Sequence, residues 1–316
     1  MYNVLVTGVG SIIGYGIVDG LKKSAIKTNI IGIDIYEDAY GSVLCNQFIK
    51  GVRADSEVYL DFINDIVARY KVDLIIPGIE QDLYKLWTNK DSINTNIVYN
   101  NDLCLNLAQD KLYTYTFFSK HNIDLIPTLH NCTFDTCSNQ LGLPFLLKPV
   151  FSYASKGIEV INNLQEFEFY TQKLYGKCIY QRIVGSMDTE FTIAIFGDGK
   201  GSFFDHIILK RKLSGEGATS KAELVEDNAI MEYVNALCSI LKPVGPLNVQ
   251  VRKEKDKVYL LEINARLSSS CSIRTLMGYN EPDMCLRYFL EKEDIKPSCK
   301  TPGKVVRYIA DYYYQK

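Results

Sequence analysis

The sequence predicts an α/β unit built on a parallel sheet, followed by a separate α+β body. Three observations predict it. Apolar strands and amphipathic helices alternate over roughly the first hundred residues, and runs of strands broken by single helices follow. Near the carboxy-terminal end, the segment VYLLEINAR (Val258 to Arg266) alternates apolar and polar residues at period two.

Taken in order, NVLVT (3–7) reads as a strand, Ile12 to Lys23 as a helix and NIIGIDIY (29–36) as a second strand. A helix over 58–70 and the strand VDLIIPG (72–78) complete a βαβαβ rhythm, which makes this third of the chain Rossmann-like. One helix is expected over Asp102 to His121. Strands are then expected at 143–150, 157–161, 178–184, 190–196 and 203–209, with a helix over 227–241. The hairpin LNVQVRKEKDKVYLLEIN closes the pattern, its turn centred near Asp256. The expected division is 1–105 and 106–316, with a smaller lobe over about 124–184. Without repeats or a Pro/Ser-rich linker, the lobes should pack together.

Composition narrows the function. The 316 residues are 47% hydrophobic and 23% charged, ordinary for a folded globular chain. Thirty-five basic against 37 acidic residues leave a net charge of −2, so no global field recruits nucleic acid or an anionic membrane. No signal-like segment precedes the first strand and no apolar run approaches a membrane span, so a cytoplasmic protein is expected. Nine Cys, of which only Cys132 and Cys137 lie close in sequence, and three His match no zinc or redox pattern; reduced, mostly buried thiols are expected.

The loop TGVGSIIG (7–14) lies between a strand and a helix, and Asp34 ends the next strand about where a ribose-binding acid sits in a dinucleotide fold. The glycines at 8, 10 and 14 nevertheless give GxGxxxG, with Ser11 out of pattern. A reductase would also need a Tyr-x-x-x-Lys pair well before the carboxy-terminal quarter, and the two present are Tyr288/Lys292 and Tyr312/Lys316. A tight turn that lets the helix pack on the sheet accounts for the glycines more simply.

The hairpin carries more chemistry. Glu262, Asn264 and Arg266 share one strand face, as do Asn248, Gln250 and Arg252 on its partner. A turn near Asp256 places Gln250 opposite Glu262, so Gln250, Glu262 and Asn264 converge as oxygen donors. One carboxylate flanked by two amides suits magnesium, which completes its shell with water and phosphate oxygens. The bland alternative is a solvent-facing polar side. Upstream, Lys148 ends the strand PFLLK and is followed by PVFSYASKG, a loop of small residues including Ser155 and Lys156 and closing at Gly157. Such a loop can cradle phosphate oxygens, with Lys148 and Lys111 as point charges.

In order, Asp110-Lys111, FLLKPxxxxxSKG (145–157), QRIVG (181–185) with Glu190, NVQV and LLEINAR resemble the ATP-grasp superfamily, in particular the carbamoyl-phosphate synthase large-chain type. The resemblance spans nearly the whole chain: a Rossmann-like preATP-grasp domain followed by a two-lobed ATP-grasp fold. It implies that Lys111 and Lys148 contact ATP phosphates, that the backbone of Arg182 and Ile183 hydrogen-bonds adenine, and that Glu190 holds the ribose hydroxyls. It also implies magnesium, with manganese as the alternative ion, on Gln250, Glu262 and Asn264, and Arg266 facing an acyl phosphate. Gln181 stands where a Glu is usual and could accept from the adenine amino group; the phosphate loop is poor in glycine, and NAR replaces the commoner NPR. In HIILKRKLSGEGATSK (206–221), Lys210 or Arg211 would reach the transferred phosphate as a basic loop closes.

The expected activity is ATP-dependent ligation: a small-molecule carboxylate is activated as an acyl phosphate and an amine displaces phosphate. Two alternatives stay open. One is an ATP-binding module or synthase-like subunit that needs a partner; the other is an NAD(P)-dependent reductase using Gly8, Gly10 and Asp34. A homodimer through the amino-terminal unit is also expected.

Overall fold

The computed structural model of the chain describes residues 1–151, 157–215, 217–308, 311 and 313. The amino-terminal unit comprises β1 (Tyr2–Thr7), α1 (Ile12–Lys22), β2 (Thr28–Asp34), β3 (Gln47–Lys50), α2 (Tyr59–Tyr70), β4 (Leu74–Ile76), α3 (Glu80–Thr88) and β5 (Asn96–Ile97). Its strands form a parallel sheet of order β3-β2-β1-β4-β5. Buried β1 residues alternate between two cores, Val4 and Val6 on the α1 side and Leu5 against α2, as a strand covered on both faces requires.

The single helix expected over 102–121 is two, α4 (Asp102–Gln109) and α5 (Lys111–Phe118). Asp110 breaks it: its backbone is extended, and its carboxylate accepts from the Tyr113 N–H at 2.8 Å, capping the second helix. The small lobe follows with β6 (Thr128–Leu129), α6 (Phe134–Leu141), β7 (Phe145–Pro149), β8 (Glu159–Ile161), α7 (Leu164–Lys173) and β9 (Cys178–Arg182). Its antiparallel sheet, β6-β9-β7-β8, buries Phe145, Leu147, Cys178 and Tyr180 under α6 and α7. The alternate residues Lys148, Ile179 and Gln181 therefore point away from that core, into a cleft.

The large lobe is an antiparallel sheet, β14-β13-β10-β11-β12-β15, made of β10 (Glu190–Asp198), β11 (Phe203–Leu213), β12 (Thr219–Leu224), β13 (Val244–Glu254), β14 (Lys257–Asn264) and β15 (Lys304–Val306). Helix α8 (Asn228–Leu241) covers one face with α4, over Ile193, Ile195, Val249 and Val251. On the other face Ala194, Phe196, Ile207 and Leu209 pack with α1, α9 (Cys271–Leu276), α10 (Glu281–Cys285) and the π-helical segment Leu286–Glu291. The amino-terminal unit and the large lobe thus share one core. None of the nine cysteines is in a disulfide.

Two local expectations change. The basic segment 206–221 is not a loop: Lys210, Arg211 and Lys212 belong to β11 and Lys221 to β12. β-Branched and apolar residues before them extend the strand, and only the short link between β11 and β12 turns. Second, strict alternation in VYLLEINAR puts Leu261, Ile263 and Ala265 on one face, and Leu261 does not lie there. A bulge aligns Gln250 with Glu262 but Val251 with Leu260, so Leu261 turns to Ile126, Val184 and Tyr259 while Val258, Leu260, Ile263 and Ala265 fill the α8 side.

Candidate active site

The face of β10, β11 and β13 that packs against the amino-terminal unit is apolar at one end only. Toward the small lobe, Ala194 and Phe196 give way to Thr192 and Glu190, Leu209 gives way to Arg211, and Asn248 is followed by Gln250 and Arg252. These polar side chains are strand residues held in register, so their placement follows from the ladder.

The pairing of Gln250 opposite Glu262 and Asn248 opposite Asn264 is present. Glu262 shares a cleft with Lys111, Lys148 and Gln181, which puts small-lobe strands, the start of α5 and the hairpin around one space. Lys148 is 8% exposed, and its Nζ donates to the Gln181 carboxamide at 2.6 Å; the Gln181 amide in turn donates to Thr128 Oγ1 at 3.0 Å. Burial pushes the Lys148 ammonium down to about 8, opposed by the Glu262 carboxylate and reinforced by Lys111 and Arg252. Burial raises the Glu262 carboxyl, and Glu80 adds to this; Lys111, Arg266 and Lys148 oppose it.

Beside the cleft lies an arginine network. Glu190 is 5% exposed; its Oε1 accepts from Arg211 at 2.7 Å and its Oε2 from Arg252 at 2.9 Å. Arg211 also donates to Gln250 Oε1 at 2.7 Å. Both Glu190 oxygens therefore face guanidinium groups, a different setting from the ribose contact expected of it. Arg211 is a buried strand residue rather than the tip of a closing loop, whereas Lys210 is exposed on the opposite face. Arg182 donates its backbone N–H to Pro127 and its guanidinium to Glu254 at 2.8 Å, so that N–H holds the small lobe together. Ile183 follows directly beyond β9. Ser155 and Lys156 lie outside the described residues, and Gly157 sits at φ +75° against Pro149.

Arg266 points back to the amino-terminal unit, donating to Glu80 Oε1 at 2.5 Å and to Asn264 Oδ1 at 3.1 Å. Glu80 escaped the sequence reading, which placed Arg252 on the Gln250 face but gave it no role. Their one signal is position, since Glu80 opens a helix just after a sheet strand and Arg252 extends the polar face of Gln250.

The expected metal donors are one carboxylate and two amide oxygens, a set that a divalent cation could use only with phosphate and water completing its shell. No cluster of three or more His, Cys, Asp or Glu exists among the described residues, so an all-protein carboxylate cage is absent. Glu262 supplies one carboxylate, while the amide oxygens of Gln250 and Asn264 are held by the guanidinium groups of Arg211 and Arg266. Lys111, Lys148, Arg211, Arg252 and Arg266 stand against Glu80, Glu190 and Glu262, an excess of positive charge that favours a polyanionic ligand.

A parallel three-layer unit, a small antiparallel lobe and a large antiparallel lobe with charged residues between them form the three-part architecture of the ATP-grasp class. Comparison with known families makes this specific. Residues 187–312 match the family described as ATP-grasp in the biosynthetic pathway with Ter operon, and residues 4–98 match the PylC-like N-terminal domain. Residues 187–312 thus carry an ATP-grasp domain and residues 4–98 a PylC-like amino-terminal domain.

The sequence is 24% identical over 145 residues to the carbamoyl phosphate synthase large chain, C-terminal section, of Aquifex aeolicus, covering 42% of this chain and 27% of that protein. It is 28% identical over 148 residues to the carbamoyl phosphate synthase large chain of Thermoanaerobacter pseudethanolicus, covering 42% of this chain and 14% of that one. The chain thus spans about a quarter or less of the length of these relatives. The fold superposes on N5-carboxyaminoimidazole synthetase from Staphylococcus aureus complexed with ADP, with a TM-score of 0.72, 17% identity and coverage of 95% of this chain and 80% of that one. It also superposes on the biotin carboxylase domain of Hydrogenobacter thermophilus 2-oxoglutarate carboxylase in complex with MgADP and bicarbonate, with a TM-score of 0.73, 14% identity and coverage of 96% and 73%. Among the described residues no helix is long and apolar enough to cross a membrane.

Proposed function

We propose that the protein is an ATP-consuming ligase that activates a small-molecule carboxylate as an acyl phosphate and passes the acyl group to an amine. The observation that carries this reading is the meeting of Lys148, Lys111 and Glu262 in one cleft between the small lobe and the hairpin. Lys148 and Lys111 hold the phosphate tail of ATP. Gln250, Glu262 and Asn264 would hold magnesium or manganese, which when bound supplies neutralising charge on the phosphoryl oxygens. Arg266 stands at the same face and steadies the charge on the acyl phosphate.

A carboxylate oxygen attacks the γ-phosphorus and ADP leaves; the amine nitrogen then attacks the acyl carbon and inorganic phosphate leaves, with the nitrogen's proton lost to solvent. The side chains orient two anions and offset their repulsion, so no nucleophilic residue is required. The cleft volume of about 50 Å³ is below the roughly 300 Å³ at which small-molecule pockets begin. Admission of ATP therefore calls for the small lobe to move away from the hairpin, with the Arg182–Glu254 pair at the joint.

The test is ADP release by the purified chain across a panel of carboxylates and amines. Release that needs both co-substrates supports the reading; magnesium–ATP binding with no release under any pair overturns it. That second result supports the alternative of a nucleotide-binding subunit awaiting a partner. Dimerisation through the amino-terminal domain is part of the proposal and is read by light scattering.

A further inference from the structure

Lys148 and Gln181 line the nucleotide cleft, and the group that orients them stands one row behind. A carboxamide offers an acceptor at one end and a donor at the other. Against an ammonium only the oxygen is useful, because the NH2 end would set donor against donor. Gln181 turns Oε1 to Lys148 Nζ at 2.6 Å and Nε2 to Thr128 Oγ1 at 3.0 Å. Thr128 is 4% exposed, pairs with Gln181 between β6 and β9, and lies outside the cleft lining.

Which way the carboxamide faces is decided at Thr128. A hydroxyl has one proton to give, and Thr128 gives it to the Ile126 carbonyl at 2.8 Å. Its oxygen is left to accept, so the amide nitrogen turns to it and the amide oxygen turns to Lys148. The Ile126 carbonyl is fixed in its turn. Ile126 is 2% exposed and packs with Val184, Tyr259 and Leu261. On either side of it, Leu125 forms a parallel bridge with Leu260 of β14, and the Pro127 carbonyl accepts from the Arg182 N–H at 3.0 Å. Segment 125–128 thus ties the strand that carries Glu262 to the strands that carry Lys148 and Gln181.

We propose that Thr128 is a positioning residue for nucleotide binding: its hydroxyl holds the Gln181 oxygen toward Lys148, and that oxygen holds the ammonium toward the phosphate tail. The assignment rests on the ligase reading, which places the phosphates of ATP on Lys148. Valine at this position fills nearly the same volume and offers no acceptor. The carboxamide can then turn over and put its NH2 against Lys148, which moves the ammonium off the phosphates. Serine keeps the hydroxyl, and with it the chain of donors from Lys148 to the Ile126 carbonyl.

The experiment is calorimetric titration of the whole chain with magnesium–ATP, without co-substrate, beside a melting curve for each variant. Thr128→Val should weaken binding about tenfold, as when a buried hydrogen bond loses one partner, and Thr128→Ser should stay within about twofold of the parent chain. Added to Lys148→Ala, Thr128→Val should weaken binding no more than about twofold further, since it acts through the lysine. Thr128→Ala, which removes the hydroxyl without adding bulk, replaces valine if that variant does not fold. Unchanged affinity in Thr128→Val, even with a lowered melting temperature, overturns the proposal. So does an equal loss in Thr128→Ser, or a full second loss in the double variant. Each of these results removes only the Thr128 assignment, whereas a parent chain that binds no magnesium–ATP removes the ligase reading as well.

Discussion

Lys148 Nζ and Gln181 Oε1 lie 2.6 Å apart, joined across the two central strands of the small lobe. A neutral amide in place of a carboxylate leaves the lysine charge uncancelled by its nearest partner, and burial then lowers its proton affinity to about 8.

The first prediction is a pH dependence. The folded protein releases the Lys148 proton near 8 and the unfolded chain near 10.5, so the unfolded state binds more protons between these values and stability from this group rises with pH across that window. ATP binding should move the opposite way, because the deprotonated lysine no longer attracts phosphate. The KM for ATP should climb above about pH 8, and Lys148→Ala should abolish this limb while raising KM at every pH.

Glu262→Gln should eliminate ADP release. The melting temperature should hold or rise, since burial already disfavours the Glu262 carboxylate and the amide is the same size. Wild-type turnover in this variant would remove the hairpin from the site.

Glu80 is the carboxylate partner of Arg266 and belongs to the other domain. Glu80→Ala should cost about 1–3 kcal/mol, as expected when a partly buried charged hydrogen bond loses one side. Turnover should fall with it. Urea unfolding and ADP release, measured on the same preparation, check both.

Arg274 and Glu281 are both fully buried and paired at 3.2 Å, and Arg274 also donates to Thr192 at 3.0 Å and Asn248 at 2.5 Å. Removing either charge alone leaves the other buried, so Arg274→Leu or Glu281→Leu should cost about 3–5 kcal/mol. The double variant should lose much less than the sum, a coupling read from a double-mutant cycle in urea.

Gly14 packs so closely that a Cβ there would lie 2.1 Å from the Gly8 carbonyl oxygen. Gly14→Ala should destabilise by about 1–3 kcal/mol or more, because backbone cannot step aside as a side chain could. Gly215→Ala, where a Cβ meets nothing within 4 Å, is the control.

The sequence by itself determined the two-part architecture, the parallel character of the first sheet and the pairing of Gln250 with Glu262. All follow from periodicity: a strand's alternate faces and a hairpin's register are local properties, legible wherever polar and apolar residues alternate. The break at Asp110 and the bulge at Leu261 were less legible, since each depends on one residue whose backbone only the surrounding packing constrains.

Tertiary structure alone decided which charges meet. Glu80 reaches Arg266 across 186 positions, Arg274 reaches Thr192 across 82, and Glu190 faces two arginines from different strands. Such contacts are made when separate sheets and helices pack on a shared core, and no spacing along the chain records them. The lining of the cleft arises in the same way, because it gathers side chains from elements distant in sequence into one space.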